Sequence, residues 1–259
     1  MDQIETYTHR VRRIRPGGED REVLAFPLEV PVALHVNASL LASLSASPTD
    51  LDDLAVGFLF LERLVSGLAD IASVSVSADR RRGEIRVETA HPLDASGASR
   101  FTSSCSRGIT FLGVSDLDDI EPLPKGRPIG TDDIREALES MRRAAEDHRR
   151  TGAVHAAALI TAGGRAFVAE DIGRHNAADK AVGACLRSGQ TPENGLLVAS
   201  GRVSSDLALK AAVARCPVVV SMHGATHLGA EVCQALGVTM VIHARGETMD
   251  VCTHPERIS

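Results

Sequence analysis

The chain is poor in aromatic residues and lacks the features that mark several classes of protein. Its 259 residues include no Trp, one Tyr and six Phe, so its core must be packed with Ala, Val and Leu. No basic run is interleaved with aromatics and the net charge is −6, which argues against nucleic acid or an anionic membrane as a partner. No apolar run approaches the roughly 18 residues that span a bilayer, and the N-terminus lacks the order of a signal peptide. We therefore expect a globular, cytoplasmic protein.

The five cysteines have no paired spacing, which excludes a disulfide framework. Three of them lie in apolar segments and are expected to be reduced core residues: Cys185, Cys216 and Cys233. Cys252 is ambiguous. Cys216 with His223 and His227 superficially resembles a zinc set, but a clear fourth ligand is missing, so we expect no metal.

One further cysteine has surroundings without an apolar face. Cys105 lies in the stretch Phe101-Thr-Ser-Ser-Cys-Ser-Arg-Gly-Ile-Thr-Phe111, which is small, polar and glycine-containing. Arg107 and the neighbouring hydroxyls favour the thiolate, the reactive form of a thiol. The segment is typical of a presented nucleophile, although an unreactive cysteine in a loop has the same local composition.

The first 120 residues carry strand patterns and one amphipathic helix. Residues 22–36 mix alternation with prolines, which is typical of edge strands. Helical spacing begins at Thr49, and Gly67 suits the helix end. Segments 73–77 and 84–88 alternate around a basic turn and predict a hairpin. Residues 90–108 are rich in Ser, Gly, Ala and Pro and predict a loop that carries Cys105.

A proline-rich stretch at 121–128 marks a boundary, so we expect a smaller N-terminal α+β lobe at 1–120 and a second domain at 121–259. Thr131 is the expected N-cap of a helix. Apolar strands at 153–160 and 165–169 then meet at a glycine pair. Short apolar runs alternate with helical patterns over the rest: 196–199, 203–215, 218–222, 225–236 and 238–243. This alternation of strand and helix patterns predicts βαβ units in a largely parallel sheet with helices on its faces.

Three arginines adjoin glycines where such strands end. They are Arg174, Arg202 and Arg245. Ligands of open α/β sheets bind beyond the carboxyl ends of the strands, where helix N-termini offer free N–H donors. The pattern therefore predicts a site for an anionic, phosphorylated ligand, to which His223 and His227 could contribute. His155 lies within an apolar run and is either a buried structural histidine or a functional one. Neither a phosphate-loop motif nor a dinucleotide fingerprint follows a strand.

Six short segments occur in a specific order along the chain. They are Leu51-Asp-Asp-Leu-Ala-Val-Gly-Phe-Leu59, Thr102-Ser-Ser-Cys105, Thr151-Gly-Ala-Val-His-Ala-Ala157, Glu170-Asp-Ile-Gly-Arg-His-Asn-Ala-Ala-Asp-Lys180, Ser200-Gly-Arg-Val-Ser204, and Ala244-Arg-Gly246 followed by Thr253-His-Pro-Glu-Arg-Ile258. In this combination the chain resembles the FdhD family of formate dehydrogenase accessory sulfurtransferases over most of its length.

The resemblance implies a C-terminal cytidine-deaminase-like, three-layer α/β domain and a homodimer. It implies a sulfurtransferase that accepts persulfide sulfur from a cysteine desulfurase on Cys105. The sulfur then passes to the bis(molybdopterin guanine dinucleotide) molybdenum cofactor, held as cargo for formate dehydrogenase or a related molybdenum or tungsten enzyme. The implied cofactor contacts are His243, Ala244, Arg245, Gly246, Glu247 and Thr248. Further candidates for that nucleotide-binding pocket are Arg174, His175, Asn176, Asp179, Gly201 and Arg202.

Two departures from the family pattern leave the recipient enzyme open. Many members carry Cys-x-x-Cys in the reactive loop, whereas Gly108 replaces the second cysteine here, so a second local thiol cannot relay the sulfur. Near the expected pocket, His223 and His227 stand where members commonly have serines.

Two other functions compete with sulfur transfer. A zinc deaminase is disfavoured because Ala157 stands where that chemistry needs a glutamate and no Pro-Cys-x-x-Cys pair exists. A chaperone that binds the molybdenum cofactor without moving sulfur remains the alternative.

Overall fold

Two β-sheets, each with helices packed on it, and a separate hairpin make up the protein. Its computed structural model describes residues 3–92, 117, 119–126 and 128–259. The strands are β1 (Thr6–Arg15), β2 (Gly18–Pro27), β3 (Val30–Val36), β4 (Ser39–Ala46), β5 (Ile71–Ala78), β6 (Gly83–Thr89), β7 (His155–Ile160), β8 (Ala166–Asp171), β9 (Leu196–Ala199), β10 (Val218–Ser221), β11 (Thr239–Arg245) and β12 (Thr248–Val251). The α-helices are α1 (Leu51–Leu61), α2 (Thr131–Ala144), α3 (Glu146–Thr151), α4 (Arg174–Arg187), α5 (Ser205–Val213) and α6 (His227–Ala235). Short 3₁₀ turns cover Leu68–Asp70 and Pro255–Arg257.

The N-terminal sheet has the strand order β4-β3-β6-β5, and α1 covers one of its faces. The hairpin of β5 and β6 confirms the prediction from alternation. The expectation that residues 22–36 form only edge strands is wrong for β3, which pairs with β4 on one side and with β6 on the other. Pro31 has no backbone N–H to donate, and it is accommodated because the pairing of β3 with β6 begins only at the next residue, Val32.

The helix predicted from Thr49 to Gly67 is shorter than expected. α1 ends at Leu61 because Arg63 adopts a left-handed conformation with φ of 60°. Leu64 N–H then donates to Leu59 O, and Arg63 N–H donates to Phe60 O. These two bonds form a Schellman motif, which satisfies the last carbonyls of the helix with an arginine at the position that usually holds glycine.

The larger sheet has the strand order β12-β11-β10-β9-β7-β8 and is formed entirely by residues 155–251. Only β9, β10 and β11 are mutually parallel, while β7, β8 and β12 join antiparallel. The prediction of a largely parallel sheet is therefore corrected to a mixed one. The cause is local, since short turns connect β7 to β8 and β11 to β12, and such turns enforce antiparallel pairing.

Helices cover both faces of this sheet, which gives three layers. The face with Ala156, Val198 and Val220 packs on α2, whose buried stripe Ile134, Ala137, Leu138 and Met141 follows helical spacing. The opposite face packs on α4, α5 and α6 through a core of small residues. Thr131 is the first residue of α2 rather than its cap; Gly130 is the N-cap, and its N–H donates to Asp133 Oδ2 over 3.1 Å. The cytidine-deaminase-like arrangement and the domain limits at 1–120 and 121–259 stay predictions.

α1 and α4 join the two sheets by an unusually close helix contact. A Cβ atom on Gly57 would lie 1.8 Å from Asp179 O, and one on Gly183 would lie 1.9 Å from Asp53 O. Only glycine leaves room for these backbones to meet, so the two residues set how closely the sheets approach. Among the described residues, no helix has the length and apolar composition to cross a bilayer.

Candidate functional site

The carboxyl ends of four strands meet at one edge of the larger sheet. β8 runs antiparallel to β7, which itself runs antiparallel to β9, so β8 ends at the same edge as β9, β10 and β11. The residues that follow these strands converge there with the start of β7. We call this group the strand-end cleft, and it consists of His155, Arg174, Gly201, His223 and Arg245.

Gly201 allows two of these side chains to pack against the loop after β9. A Cβ atom at this position would lie 3.2 Å from Arg174 Cβ and Cδ and 3.4 Å from His155 Nδ1. Ser221 fixes the loop from the neighbouring strand, because its Oγ donates to Gly201 O over 2.6 Å and accepts from His223 N–H over 2.9 Å. The backbone of this loop is therefore held in place by hydrogen bonds that the sequence motif does not reveal.

His155 is half-buried, and its environment favours the neutral imidazole. Burial lowers its pKa below the ordinary value of 6.5, and the nearby charge of Arg174 lowers it further. Its Nδ1 lies 3.5 Å from Ser200 Oγ, which accepts from Ala156 N–H. His155 therefore packs in the fold and borders the strand-end cleft as a neutral imidazole at pH 7, and its functional role stays a prediction.

Arg245 reaches back over the end of β10. Its Nε donates to Met222 O over 2.9 Å and its Nη2 donates to His223 Nδ1 over 3.3 Å. The second bond requires an unprotonated Nδ1 on His223. A hydrogen bond therefore joins Arg245 and His223, which come from the ends of neighbouring strands.

β11 contains a bulge immediately before Arg245. The register with β12 shifts between Ile242 and Arg245, and His243 has a left-handed φ of 48°. Its Nδ1 lies 2.8 Å from Asp250 Oδ2, and its backbone N–H donates to His223 O over 3.1 Å. Strained residues and bulges are concentrated beside functional sites, where they redirect side chains.

The rest of the segment predicted to hold the cofactor divides between core and surface. The Ala244 side chain is 1% exposed and packs on the α2 side of the sheet. Gly246 and Glu247 form the turn to β12, where Glu247 Oε2 lies 3.7 Å from Arg135 Nε. Thr248 Oγ1 donates to Arg245 O over 3.2 Å, which braces that turn.

Two more candidates lie near the cleft on α4 and the loop after β9. His175 Nε2 is 3.2 Å from Ser204 Oγ and 3.8 Å from Asp206 Oδ2, at the start of α5. The side chain of Arg202 is exposed, while its neighbour Val203 pairs with Ala225.

Asn176 and Asp179, also predicted for the pocket, make contacts inside the protein instead. Asn176 Nδ2 donates to Ser45 O over 2.8 Å and to Asp171 Oδ1 over 3.0 Å. The Asp179 carboxylate is 2% exposed and accepts from Lys210 Nζ over 2.6 Å, and burial raises its pKa to about 6. We therefore assign both residues to the joint between the sheets and leave them out of the strand-end cleft.

The described cysteines are neither paired nor activated. Cys185, Cys216 and Cys233 are buried, as predicted, and burial raises the pKa of each thiol, to about 11 for Cys185 and about 12 for Cys233. Cys252 is exposed, and partial burial followed by the charge of Asp250 raises its pKa too. These four thiols are therefore protonated at neutral pH. Cys105 and its predicted loop lie outside the described residues.

The structure separates the residues of the superficial zinc set. Cys216 precedes β10, whereas His223 and His227 follow it at the opposite edge of the sheet. His227 is 89% exposed and lies 3.4 Å from Glu231, so it does not join the cleft. No group of three or more metal-binding side chains occurs in the part of the chain that the structure describes.

Comparison with known proteins gives one consistent result. The model of the FdhD/NarQ family matches residues 27–259. Proteins named sulfur carrier protein FdhD from Geobacillus kaustophilus and Wolinella succinogenes are 33% and 35% identical to this chain. The alignments cover 96% and 89% of this chain and 95% and 81% of those proteins. A crystal structure from Desulfotalea psychrophila, assigned as a formate dehydrogenase accessory protein, superposes with a TM-score of 0.79 at 25% identity, over 98% of this chain and 99% of that one.

Proposed function

The chain belongs to the FdhD/NarQ family, and we propose that it is a sulfur carrier that uses a persulfide on Cys105. In this proposal a cysteine desulfurase donates the sulfur, and the acceptor is the bis(molybdopterin guanine dinucleotide) molybdenum cofactor, which the strand-end cleft holds as cargo. The cofactor is then delivered to formate dehydrogenase or a related enzyme. Relatives named as sulfur carriers and the accessory-protein neighbour support this proposal.

The main structural support is the convergence of Arg174, His223 and Arg245 beside the close backbone of Gly201. Guanidinium groups bind phosphate through two parallel N–H donors, and a glycine lets the chain approach a ligand closely. The start of α4 lies at the same edge, and the positive end of the helix dipole favours an anion there. Such a cleft suits a ligand with several phosphates, such as a dinucleotide.

Loading of Cys105 needs a thiolate and no change in total oxidation state. The Cys105 thiolate attacks the outer sulfur of the desulfurase persulfide, and the desulfurase thiolate leaves. The bond between the two sulfurs of the donor breaks as the new one forms on Cys105. Delivery then breaks the sulfur–sulfur bond of the Cys105 persulfide and releases the Cys105 thiolate, and the two electrons that turn the outer sulfur into sulfide come from external thiols, which are oxidised to a disulfide. The raised pKa of each described thiol makes these four poor nucleophiles at pH 7, which favours Cys105 for this role.

A transfer experiment separates sulfur delivery from simple cofactor binding. The protein is loaded with isotopically labelled sulfur by a cysteine desulfurase, freed of excess label, and mixed with the sulfur-free molybdenum cofactor, a thiol reductant and cofactor-free formate dehydrogenase. We expect the label to move to the cofactor of the enzyme and activity to return together. Return of activity while the label stays on the carrier would instead favour a chaperone without sulfur transfer.

A further inference from the structure

The first two strands and the turn between them form an arm that lies apart from both sheets. In the described part of the chain, β1 and β2 pair only with each other, and nearly every side chain from Thr8 to Leu24 is exposed. The match of the family model begins at residue 27, so all of the arm except Pro27 precedes it. The segments that carry the family resemblance also lie outside the arm. The arm is therefore a surface separate from the motifs on which the proposed function rests.

The base of the arm is fixed beside the strand-end cleft. Ile4, just before β1, is buried, and its N–H donates to Asp147 Oδ2 over 2.7 Å. The Arg150 guanidinium group donates to Ile4 O over 3.1 Å and to Thr6 Oγ1 over 2.8 Å. Glu170, near the end of β8, accepts from Asp147 N–H over 3.0 Å. Because β8 ends at the same sheet edge as the strand-end cleft, the arm leaves the body of the protein at that edge.

The two faces of the arm differ in charge. Residues opposite each other in the register lie on the same face, and successive residues of a strand alternate between the faces. One face, which we call the arginine face, contains Arg10, Arg12, Ile14, Glu19, Arg21 and Val23. Its three arginines outnumber its single carboxylate. On the opposite face, two arginines and two carboxylates are joined by ion pairs, so their charges cancel.

The arginine face keeps positive charge that the arm itself does not neutralise. Arg12 lies directly opposite Arg21, and like charges at opposite positions destabilise a pair of strands. Arg12 Nη1 lies 3.3 Å from Glu19 Oε2, whereas Arg10 and Arg21 form no ion pair with a carboxylate of the described residues. A two-stranded hairpin is only marginally stable by itself. An acidic partner would therefore remove a repulsion that weakens the arm in the free protein.

Two exposed aliphatic side chains lie among these arginines. Ile14 is 71% exposed and Val23 is 62% exposed, and Val23 lies directly opposite Arg10. Interfaces between proteins combine such apolar contacts with arginines, whose guanidinium groups donate to carboxylates. Single-stranded nucleic acid is bound by stacking its bases on aromatic rings, but Tyr7 and Phe26 lie on the opposite face of the arm. The arginine face therefore suits an acidic protein surface better than a nucleic acid.

We propose that the arginine face docks onto an acidic patch of the enzyme that receives the cofactor. This inference rests on the proposed function, in which the strand-end cleft holds the cofactor for formate dehydrogenase or a related enzyme. The recipient is favoured over the sulfur donor because the arm leaves the protein at the edge of the cleft, where the cargo is released. Arg10 and Arg21 contact the carboxylates of the patch, and Ile14 and Val23 pack against apolar side chains beside them.

Binding of the full-length protein to immobilised, cofactor-free formate dehydrogenase tests the proposal. Surface plasmon resonance compares the wild type with Arg10→Gln/Arg21→Gln and with Arg13→Gln/Arg15→Gln. The second variant is the matched control, because it removes the same charge from the same arm but from the opposite face. We expect Arg10→Gln/Arg21→Gln to bind about tenfold more weakly, mainly through slower association, and the control to stay within about threefold of the wild type. The difference should shrink as the salt concentration is raised.

Thermal unfolding shows whether a loss of binding is only structural. Arg10→Gln/Arg21→Gln removes the repulsion with Arg12, so its melting temperature should equal or exceed that of the wild type. Unchanged binding of this variant, equal weakening of both variants, or no binding by the wild type would overturn the proposal. A variant that instead loses self-association in sedimentation, or binding to duplex DNA, would also overturn it and assign the face to a second copy or to nucleic acid.

Persulfide loading of Cys105, measured in the same variants, separates this proposal from the proposed function. Normal loading of all variants, together with dehydrogenase binding that does not depend on the arginine face, rejects the docking surface alone. Dehydrogenase binding that depends on the arginine face, with no persulfide on the wild type, rejects the sulfur-carrier proposal alone.

Discussion

The Lys180 ammonium group donates to the Asp171 carboxylate over 2.6 Å, and both side chains are fully buried. Lys180 also donates to Ser47 O over 3.1 Å, while Asp171 accepts from the N–H groups of Ser47 and Gly173. The pair therefore connects α4 of the larger sheet to the residues just before α1. Lys180, the last residue of the segment 170–180, therefore links the two sheets.

Replacing Lys180 by Met should destabilise the protein strongly. The substitution keeps the shape of the side chain and leaves the Asp171 charge buried without its cation, which costs about 3 to 5 kcal/mol. Urea unfolding of the wild type and Lys180→Met measures the change in free energy. Lys125→Met, at an exposed position, is the control and should be neutral. A difference below about 1 kcal/mol for Lys180→Met would show that the pair contributes little.

Adding one methyl group at Gly183 should separate α1 from α4. Its Cβ would lie 1.9 Å from Asp53 O, a backbone atom, so the helices must move apart. We expect Gly183→Ala to destabilise the protein by about 3 kcal/mol or more, near the upper end for overpacked cores. The control is Gly67→Ala, whose Cβ would have no neighbour within 4 Å. Equal melting temperatures for the two variants would contradict the close helix contact.

His155 should make the stability of the protein depend on pH. Its pKa is lowered in the folded state by burial and by Arg174, from the ordinary 6.5. As the pH falls through 6.5, the unfolded chain takes up a proton that the folded protein resists, so stability decreases toward acid pH. We expect urea unfolding between pH 7.5 and about 5 to show a smaller decrease for His155→Gln than for the wild type. An imidazole titration by NMR with a pKa at or above 6.5 would refute this environment.

Arg245→Gln should weaken the binding of a phosphorylated ligand. The variant loses the guanidinium group that donates to Met222 O and His223 Nδ1 in the strand-end cleft. Loss of one charge-assisted contact is expected to reduce the affinity for GDP about tenfold or more. Calorimetric titration measures this affinity, with Arg81→Gln on the exposed turn before β6 as the control. Equal affinity of the wild type and Arg245→Gln would place the phosphates elsewhere.

The sequence was sufficient to predict the elements with strong periodicity. The buried runs of β9, β10 and β11 and the stripe of α2 were found because burial on a sheet or helix face leaves a regular apolar pattern. β4 was missed because its sequence SLLASLSA is short, small and only partly buried. β1 is missed, and β2 is predicted only from residue 22, because their mostly exposed hairpin is held by cross-strand ion pairs such as Arg13 to Glu22 rather than by an apolar face.

The position of the candidate site could be predicted from the sequence. Which motif residues belong to the site and which link the two sheets could not. The arginines were found because glycines and strand ends mark the ligand edge of an α/β sheet. The same motif contains residues for the cleft and residues for the joint, and only the fold separates them. Asn176 contacts Ser45 across 131 positions, and Lys180 contacts Ser47 across 133. No local pattern records such distant partners.

The most direct test of the sulfur-carrier proposal is the intact mass of the protein after incubation with cysteine and a cysteine desulfurase. The wild type is compared with Cys105→Ser and with Cys252→Ser, which removes the exposed cysteine among the described residues. We predict that the wild type and Cys252→Ser each gain one sulfur atom that a reductant removes, and that Cys105→Ser gains none. Equal sulfur on Cys105→Ser and the wild type, or no sulfur on any of the three, would contradict the account.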